Sequence, residues 1–196
     1  MFSKIFPINC LGCGAIDEFL CQSCVYAEVS HNPAQRPGFS FISGFKYEGL
    51  FASALGRLKN QSEYGYVNRF ADALKNQIDF DSGIETLVPP STNSAMRQRG
   101  FNPAASIAKK AGFKVTNKLR RIRQSDSQRG LDFQARQRNS NQLFELREQG
   151  EFLIFDDVVT TGATIREMIR AVEEQSGMVL GVFALCSTET KGANYE

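Results

Sequence analysis

The sequence is poor in histidine and in long apolar runs, and both shortages argue against whole classes of function. His31 is the single histidine of the 196 residues, which argues against Ser-His-Asp catalysis and against a histidine-based metal site. No run of about 18 apolar residues occurs, so no membrane-spanning helix is predicted. The first residues, MFSKIFPINCLGCG, lack the sustained apolar region of a secretory signal. We therefore expect a cytoplasmic protein without membrane insertion.

Two common glycine-rich nucleotide motifs are also missing. The sequence contains neither G-x-G-x-x-G nor G-x-x-x-x-G-K-[ST], which argues against a dinucleotide fingerprint and a Walker P-loop. The net charge is only +2, but between Arg97 and Arg147 thirteen Lys and Arg face three acids, a local net charge of +10. Such a stretch indicates either a solvated face or a partner that carries phosphate, such as nucleic acid.

Four cysteines near the start form two Cys-x-x-Cys pairs: Cys10, Cys13, Cys21 and Cys24. Each pair can direct both thiolates at one ion, and two pairs complete the tetrahedral sulfur shell that Zn²⁺ favours. Disulfide bonds are the alternative, although a reducing cytoplasm disfavours them. Four cysteine ligands leave no open coordination position, so we predict a structural zinc rather than a catalytic one. The fifth cysteine, Cys186, lies in an apolar segment and is expected in the core.

The rest of the sequence alternates between strand and helix patterns. FSFISGFKY predicts a strand or hairpin, and residues 48–77 predict two helices with a break near QSEYGY. ETLVPP, FKVTNKL, FLIF and MVLGVFALC are predicted strands, whereas NPAASIAKKAG and the segment from Thr164 to Gly177 are predicted helices. This alternation predicts an α/β fold with a parallel sheet, whose ligands bind beyond the carboxyl ends of the strands.

The segment FLIFDDVVTTGAT, residues 152–164, carries the chemistry. Asp156 and Asp157 follow an apolar run and are predicted to lie at the end of a strand. Residues 160–164 precede a helix, where backbone N–H groups and the helix dipole favour an anion. Carboxylates accept hydrogen bonds from diols and attract Mg²⁺. The segment therefore predicts a ribose 5-phosphate held at both ends, and an incidental acidic turn is the alternative.

The same segment resembles the phosphoribosyl pyrophosphate (PRPP) motif of type I phosphoribosyltransferases. Together with the cysteine pairs, FKYEGLFASALGRLKN, VPPSTNSAMRQRGFNPAASIA and RQSDSQRGLDFQARQRN, it resembles the ComF family of competence-associated phosphoribosyltransferase-like proteins over nearly the whole chain. The resemblance implies a type I phosphoribosyltransferase fold, a parallel sheet flanked by helices, with a small N-terminal four-cysteine zinc module. We predict a zinc module at 1–30 and a phosphoribosyltransferase-like domain at 39–196. The Pro/Gly-containing segment SHNPAQRPG, which includes His31, indicates a linker at 31–38 between them.

The resemblance also assigns roles to residues. Asp156 and Asp157 would bind the ribose hydroxyls of PRPP, and the 5′-phosphate would bind Thr160, Thr161, Gly162, Ala163 and Thr164. The pyrophosphate loop would lie around Pro89, with Pro90, Ser91 and Thr92. Arg97, Arg99 and Gly100 match an Arg-Gly-Phe-Asn element, and Arg99 is the candidate catalytic cation. Two departures concern Val-Pro-Pro-Ser, where many members have Pro-Val-Pro-Leu, and RQSDSQ, where a common threonine is absent.

Two functions are compatible with this resemblance. The first is a Mg-dependent enzyme that transfers the phosphoribosyl group of PRPP to an acceptor that no residue set identifies. The alternative is a non-catalytic, PRPP-responsive protein that binds single-stranded DNA during DNA uptake in natural transformation, with other competence proteins as further partners. The candidate DNA-binding residues are Arg120, Arg121 and Arg123, and the candidate stacking partners are Phe101, Phe133 and Phe144.

Overall fold

The computed structural model describes residues 8–16, 18–36, 38–76, 79–122 and 143–188. The described strands are β1 (Val29–Arg36), β2 (Phe39–Lys46), β3 (Glu85–Leu87), β4 (Lys114–Val115), β5 (Leu119–Arg121), β6 (Phe144–Leu146), β7 (Glu151–Val159) and β8 (Met178–Ser187). The described helices are α1 (Gln22–Ala27), α2 (Gly49–Asn60), α3 (Gly65–Lys75), α4 (Asn93–Arg99), α5 (Pro103–Ala111) and α6 (Ala163–Glu173). Among these helices, none has the length and apolar character needed to cross a bilayer.

The main sheet has six strands in the order β1-β2-β8-β7-β3-β4. The five strands from β2 to β4 run parallel, and β1 pairs antiparallel with β2 at one edge. Strands β5 and β6 form a separate antiparallel pair. The parallel sheet flanked by helices confirms the predicted fold class.

Strand β7 is buried on both faces, because its successive side chains alternate between them. Leu153 and Phe155 pack in the cluster that contains residues of α2, α3 and α5. Phe152 and Ile154 pack in a second cluster with the buried face of α6. A strand covered by helices on both faces reads as a continuous apolar run, which is why FLIF shows no alternation.

The helix predicted at NPAASIAKKAG is confirmed with both of its boundaries, because local capping chemistry determines them. The Asn102 side chain accepts a hydrogen bond from the backbone N–H of Ala105 at 3.2 Å, Pro103 begins α5, and Gly112 ends it with φ at 106°. The helix predicted from Thr164 to Gly177 is α6, but it begins at Ala163 and already ends at Glu173. The break predicted near QSEYGY separates α2 from α3. Cys186 is fully buried, as predicted.

The connector predicted at 31–38 is wrong for residues 31–36. They belong to β1, which pairs with β2 as an edge strand. A polar strand that contains Pro33 is compatible with an edge, where a missing N–H leaves no central ladder bond broken. The division of the chain into three domains otherwise stays a prediction.

The N-terminal cysteine segment packs on α3. Phe19 contacts the Tyr66 ring edge to face, with centroids 5.0 Å apart, and Leu20 is fully buried. A Cβ at Gly65 would lie only 1.9 Å from the Phe19 ring, so this contact requires glycine. Arg69 and Glu18 form an ion pair at 3.3 Å across the same junction.

Candidate functional site

A pocket of about 440 Å³ opens at the carboxyl edge of the sheet, where β3 and β7 end. Parallel α/β sheets place their ligands at this edge. Its walls come from β7 and the loop after it, the loop after β3, α2, α4, α5 and β5. The lining residues that carry polar or charged side chains are Tyr47, Lys59, Ser91, Thr92, Arg99, Asn102, Arg121, Asp156, Asp157, Thr160 and Thr164.

The two acids lie inside β7 rather than after it, so their predicted position at the strand end is wrong. β7 continues through both residues to Val159, and each acid is only 7 % exposed. They remain in the strand because Asp156 pairs in register with Ala184, and Val158 with Cys186, of the buried strand β8. Both carboxyl groups line the pocket, so their burial reflects the depth of the site.

The acids belong to opposite faces of the sheet. Asp156 shares a face with Ile154 and α6, and it lines a small cavity of about 40 Å³ beneath the loop that begins α6. Asp157 shares a face with Phe155 and α2, and its Oδ1 accepts a hydrogen bond from Lys59 Nζ at 2.7 Å. The backbone N–H of Asp157 donates to Asp156 Oδ1 at 2.8 Å. Alternation along an extended strand therefore gives the two carboxyl groups different partners.

Burial, and then the neighbouring Asp157 charge, raise the pKa of Asp156 to about 8. This shift favours the protonated form of the Asp156 carboxyl group. A protonated carboxyl group can donate a hydrogen bond as well as accept one. A cation or several hydrogen-bond donors from a ligand would favour its ionised form.

Lys59 is a site residue that the sequence reasoning missed. It lies in the last turn of α2 and reaches the pocket across a sequence separation of 98 residues. In the sequence it belongs to FKYEGLFASALGRLKN, where the helical spacing indicates which residues are buried and gives no role to the lysine. The ion pair with Asp157 places one cation beside the two acids.

The loop from Thr160 to Thr164, the predicted anion cradle, turns sharply where α6 begins. Gly162 adopts the left-handed conformation with φ at 75° and precedes the first residue of α6, and Thr161 Oγ1 accepts from the backbone N–H of Ala163 at 3.4 Å. The cavity of about 40 Å³ is lined by the loop residues from Val159 to Ile165. These features support the predicted phosphate position, because amide groups at the start of a helix favour anions.

The loop after β3 forms the opposite wall of the pocket. Pro89, Pro90, Ser91 and Thr92 line it, and Thr92 Oγ1 caps α4 by accepting from the N–H of Ala95 at 3.2 Å. Helix α4 was not predicted, because it is short and none of its residues is buried. Asn102 Nδ2 donates to the Pro89 carbonyl at 2.9 Å, which fixes the loop against α5.

Of the three residues matched to the Arg-Gly-Phe-Asn element, Arg99 alone lines the pocket. Its Nε atom is buried and has no hydrogen-bond partner among the described residues. Arg97 is exposed on α4, and Gly100 ends that helix with φ at 76°. Arg97 is therefore exposed to solvent on α4, whereas Arg99 faces the pocket.

The basic stretch divides into residues with different surroundings. Arg121 lines the pocket and donates from Nε to the Pro90 carbonyl at 3.2 Å, whereas Arg120 pairs with Glu145 through Nε at 2.9 Å. Arg123 and Phe133 lie outside the described residues. Phe144 is only 1 % exposed, so its predicted role in stacking with bases is wrong. Phe101 contacts the Tyr64 ring edge to face.

The four cysteines converge as predicted. The sulfur atoms of Cys10, Cys13, Cys21 and Cys24 all lie within 4.8 Å of one another. Ser23, by a side-chain hydrogen bond, and then the backbone of Cys24 lower the pKa of the Cys21 thiol to about 6, whereas the hydrogen bond with Cys21 raises the pKa of Cys24 to about 12. A bound metal ion would favour the thiolate form of all four cysteines. A Cβ at Gly12 would lie 2.7 Å from Cys24 Sγ. The cluster can hold a metal ion, and its donor set fits structural zinc.

Comparisons with known proteins agree with this architecture. No profile of a known protein family matches the chain. The chain is 24 % identical over 193 residues to "Competence protein ComFC" of Streptococcus pneumoniae (strain ATCC BAA-255 / R6). The matched region covers 94 % of this chain and 83 % of that protein. It is 36 % identical over 53 residues to "Orotate phosphoribosyltransferase" of Thermoanaerobacter sp. (strain X514), which covers 27 % of this chain and 28 % of that enzyme. The resemblance to the ComF family is confirmed over nearly the whole chain.

Proposed function

We propose that the protein binds PRPP together with Mg²⁺ in the pocket at the carboxyl edge of the sheet and transfers its phosphoribosyl group to an acceptor. The observation that carries the proposal is the composition of one pocket of about 440 Å³. It joins the buried Asp156 and Asp157 to the cradle that begins α6, and it places Arg99 and Arg121 on the walls formed by other elements.

Each part of PRPP has a matching part of the pocket. The 5′-phosphate fits the main-chain loop of Thr160 to Thr164, and the ribose hydroxyls fit the two carboxyl groups. The pyrophosphate fits the side of Pro89 to Thr92, where Arg99 and Arg121 supply positive charge. The buried Arg99 Nε, which has no protein partner among the described residues, would gain a phosphate oxygen as acceptor.

In the proposed reaction the bond between ribose C1 and the pyrophosphate oxygen breaks, and a bond from C1 to the acceptor forms. The leaving pyrophosphate takes both bonding electrons, so positive charge near it lowers the barrier. Arg99 and Arg121 would hold that charge, and the cradle and the acids would orient the sugar. Mg²⁺ would neutralise part of the pyrophosphate charge when it binds with PRPP.

The names of the two similar proteins support the proposal independently of the pocket geometry. One is a phosphoribosyltransferase, and the other is a competence protein. We therefore propose a competence-related phosphoribosyltransferase-like role for this chain, and cytoplasmic location remains a prediction. Pyrophosphate release from PRPP in the presence of an acceptor panel would test turnover, because a binding protein without catalysis would release none.

Binding is tested by calorimetric titration of PRPP and Mg²⁺ into the wild type and an Asp156→Asn/Asp157→Asn variant. Loss of two charge-assisted hydrogen bonds should reduce affinity about 100-fold or more. Because both acids are buried, unfolding must be measured for each protein, and the titration is run well below the lower melting temperature. Equal affinities in two folded proteins would contradict the proposed site.

The second candidate function is PRPP-responsive binding of single-stranded DNA, which the local charge of +10 between Arg97 and Arg147 favours. Affinity for an oligonucleotide should fall steeply with salt, because neutralised phosphates release counterions. Replacing Arg120, Arg121 and Arg123 by Ala should weaken binding to all sequences. If the affinity did not change with salt concentration, the basic stretch would have a catalytic role or would only be a solvated surface. Arg120→Ala alone separates the roles, because Arg120 does not line the pocket whereas Arg121 does.

A further inference from the structure

We propose that Arg36, at the end of β1, is a positioning residue that holds the anion cradle in its binding conformation. The inference rests on the proposed function, since the cradle is the proposed site of the 5′-phosphate. It concerns a residue that the sequence patterns placed in a connector and that does not line the main pocket.

The Arg36 side chain joins two chain segments that follow neighbouring strands. Its Nε donates to the backbone carbonyl of Thr160 at 2.7 Å, and its Nη2 donates to the carbonyl of Thr188 at 2.6 Å. Thr160 begins the cradle after β7, and Thr188 follows β8, where its N–H donates to the Val159 carbonyl at 3.1 Å. One guanidinium group therefore forms hydrogen bonds with the residues that follow the carboxyl ends of both β7 and β8.

Burial and a contact with Phe41 restrict the position of the Arg36 guanidinium group. The residue is only 5 % exposed, and its guanidinium carbon lies 5.3 Å from the centre of the Phe41 ring. Its Cγ would lie 3.2 Å from a Cβ at Gly162, so its stem contacts the turn of the cradle. Burial lowers the pKa of Arg36, but arginine stays protonated in proteins, so the donors are permanent.

The hydrogen bond to Thr160 has a consequence for the N–H groups of the cradle. The Thr160 carbonyl accepts from Arg36, and Arg36 lines neither the main pocket nor the small cavity of the cradle. The bond therefore holds this oxygen on the side of Arg36, whereas a carbonyl facing the phosphate would repel it. Fixing Thr160 therefore holds the cradle in one conformation, so that its N–H groups can donate to an anion with little reorganisation on binding. The Ala163 N–H, which donates to Thr161 Oγ1 at 3.4 Å, would have to exchange that bond for one to the anion. The cation beneath the loop also adds favourable long-range charge.

A second arginine provides a natural comparison. Arg166 Nη1 donates to the next carbonyl, that of Thr161, at 3.0 Å, but this bond is exposed and spans only five residues. Exposed hydrogen bonds of charged groups exchange easily with water, so Arg166 should matter less than the buried Arg36.

The test compares Arg36→Met, Arg36→Lys and Arg166→Met with the wild type. Ribose 5-phosphate and Mg-pyrophosphate are titrated separately, because the first needs the cradle and the second fits the side of Arg99. We expect Arg36→Met to weaken ribose 5-phosphate binding about tenfold or more and to leave pyrophosphate binding within about twofold. Arg36→Lys keeps the charge but has a single donor nitrogen in place of the two that Arg36 uses, so it should restore part of the loss. Arg166→Met should change little.

Amide NMR signals of residues 160–164 give an independent readout with inorganic phosphate as the probe. Phosphate should shift these signals in the wild type and at higher concentration in Arg36→Met. Equal ribose 5-phosphate affinity in Arg36→Met and the wild type would overturn the role of Arg36, as would parallel losses of both ligands. If Arg36→Met does not fold, Arg36→Lys decides, because its single nitrogen cannot replace both Nε and Nη2 of Arg36 and should therefore still weaken the binding of ribose 5-phosphate selectively. Failure of the wild type to bind either ligand would instead overturn the proposed function.

Discussion

The ammonium nitrogen of Lys59 lies 2.7 Å from a carboxylate oxygen of Asp157, although 98 positions separate the two residues in the chain. The pair lies beside the buried Asp156, so the Lys59 ammonium group is close to both acids of the pocket. Lys59 therefore offsets part of the charge repulsion that would otherwise arise when both acids ionise.

Replacing Lys59 by Met should destabilise the protein, because Asp157 would remain as a buried acid without its cation. We expect a loss of about 1–3 kcal/mol in the free energy of unfolding, measured by urea titration. Lys75→Met is the matched control, since Lys75 is an exposed lysine in the last turn of α3. Adding Asp157→Asn to Lys59→Met should recover part of the lost stability. If the double variant instead loses the sum of what the two single variants lose, the ion pair between Lys59 and Asp157 does not contribute to stability.

Asp156 should make stability depend on pH. Its pKa of about 8 in the folded protein lies above the ordinary value of 3.8, so between these values the folded protein holds a proton that the unfolded chain has released. The stability of the wild type should therefore fall as pH rises through this window. Asp156→Asn removes the penalty, and its advantage should grow to about a few kcal/mol near pH 8.

Urea unfolding of the wild type and Asp156→Asn at several pH values between 5 and about 8.5 checks this expectation. Asp72→Asn, which changes an exposed acid on α3, controls for the loss of one negative charge. Parallel pH profiles for the wild type and Asp156→Asn would show that Asp156 does not carry the raised pKa. A more stable variant that no longer binds PRPP would identify Asp156 as a strained site residue, which is a common trade-off.

The sequence predicts those parts of the fold that local chemistry determines. Asn102, Pro103 and Gly112 mark both ends of α5, and the apolar spacing of α6 marks its buried face. The four cysteines are equally local, because each Cys-x-x-Cys turn presents its two thiolates together. The order of acids, threonines and glycine in residues 156–164 likewise predicts the position of the cradle.

The missed residues reach the site through long-range contacts that no local period records. Lys59 and Arg36 contact residues 98 and 124 positions away. Strand β1 is polar and contains proline, so its pairing depends on β2 rather than on its own pattern. The depth of Asp156 and Asp157 depends on the pairing of β7 with β8, which an apolar run followed by two acids does not reveal.

Zinc bound by the four cysteines should be structural. We expect about one zinc per chain, measured by elemental analysis, since four thiolates form one closed tetrahedral shell. Cys21→Ser should lose the metal and unfold residues 1–30, because α1 begins at Gln22 and has only one buried residue of its own. Cys186→Ala changes a buried cysteine outside the cluster and should retain the zinc. Full metal content in Cys21→Ser would contradict the four-ligand site.

The cradle should require glycine at position 162 for two separable reasons. Gly162 has φ at 75°, and a Cβ there would lie 2.8 Å from the Phe39 ring. Gly100 has nearly the same φ, 76°, but a Cβ there would meet nothing within 4 Å. Both alanine variants should lose about 1–2 kcal/mol of stability, because L-residues pay this cost in the left-handed region.

Gly162→Ala should lose more than Gly100→Ala, because its methyl group must displace Phe39 or shift the loop. Only Gly162→Ala should also weaken the binding of ribose 5-phosphate, because the displaced loop changes the direction of its amide groups. Thermal unfolding and calorimetric titration of both variants measure the two effects separately. Adding Phe39→Ala to Gly162→Ala gives the methyl group room, so it should restore part of the affinity while leaving the backbone cost. Equal affinity in both alanine variants would mean that the contact with Phe39 has no part in shaping the cradle.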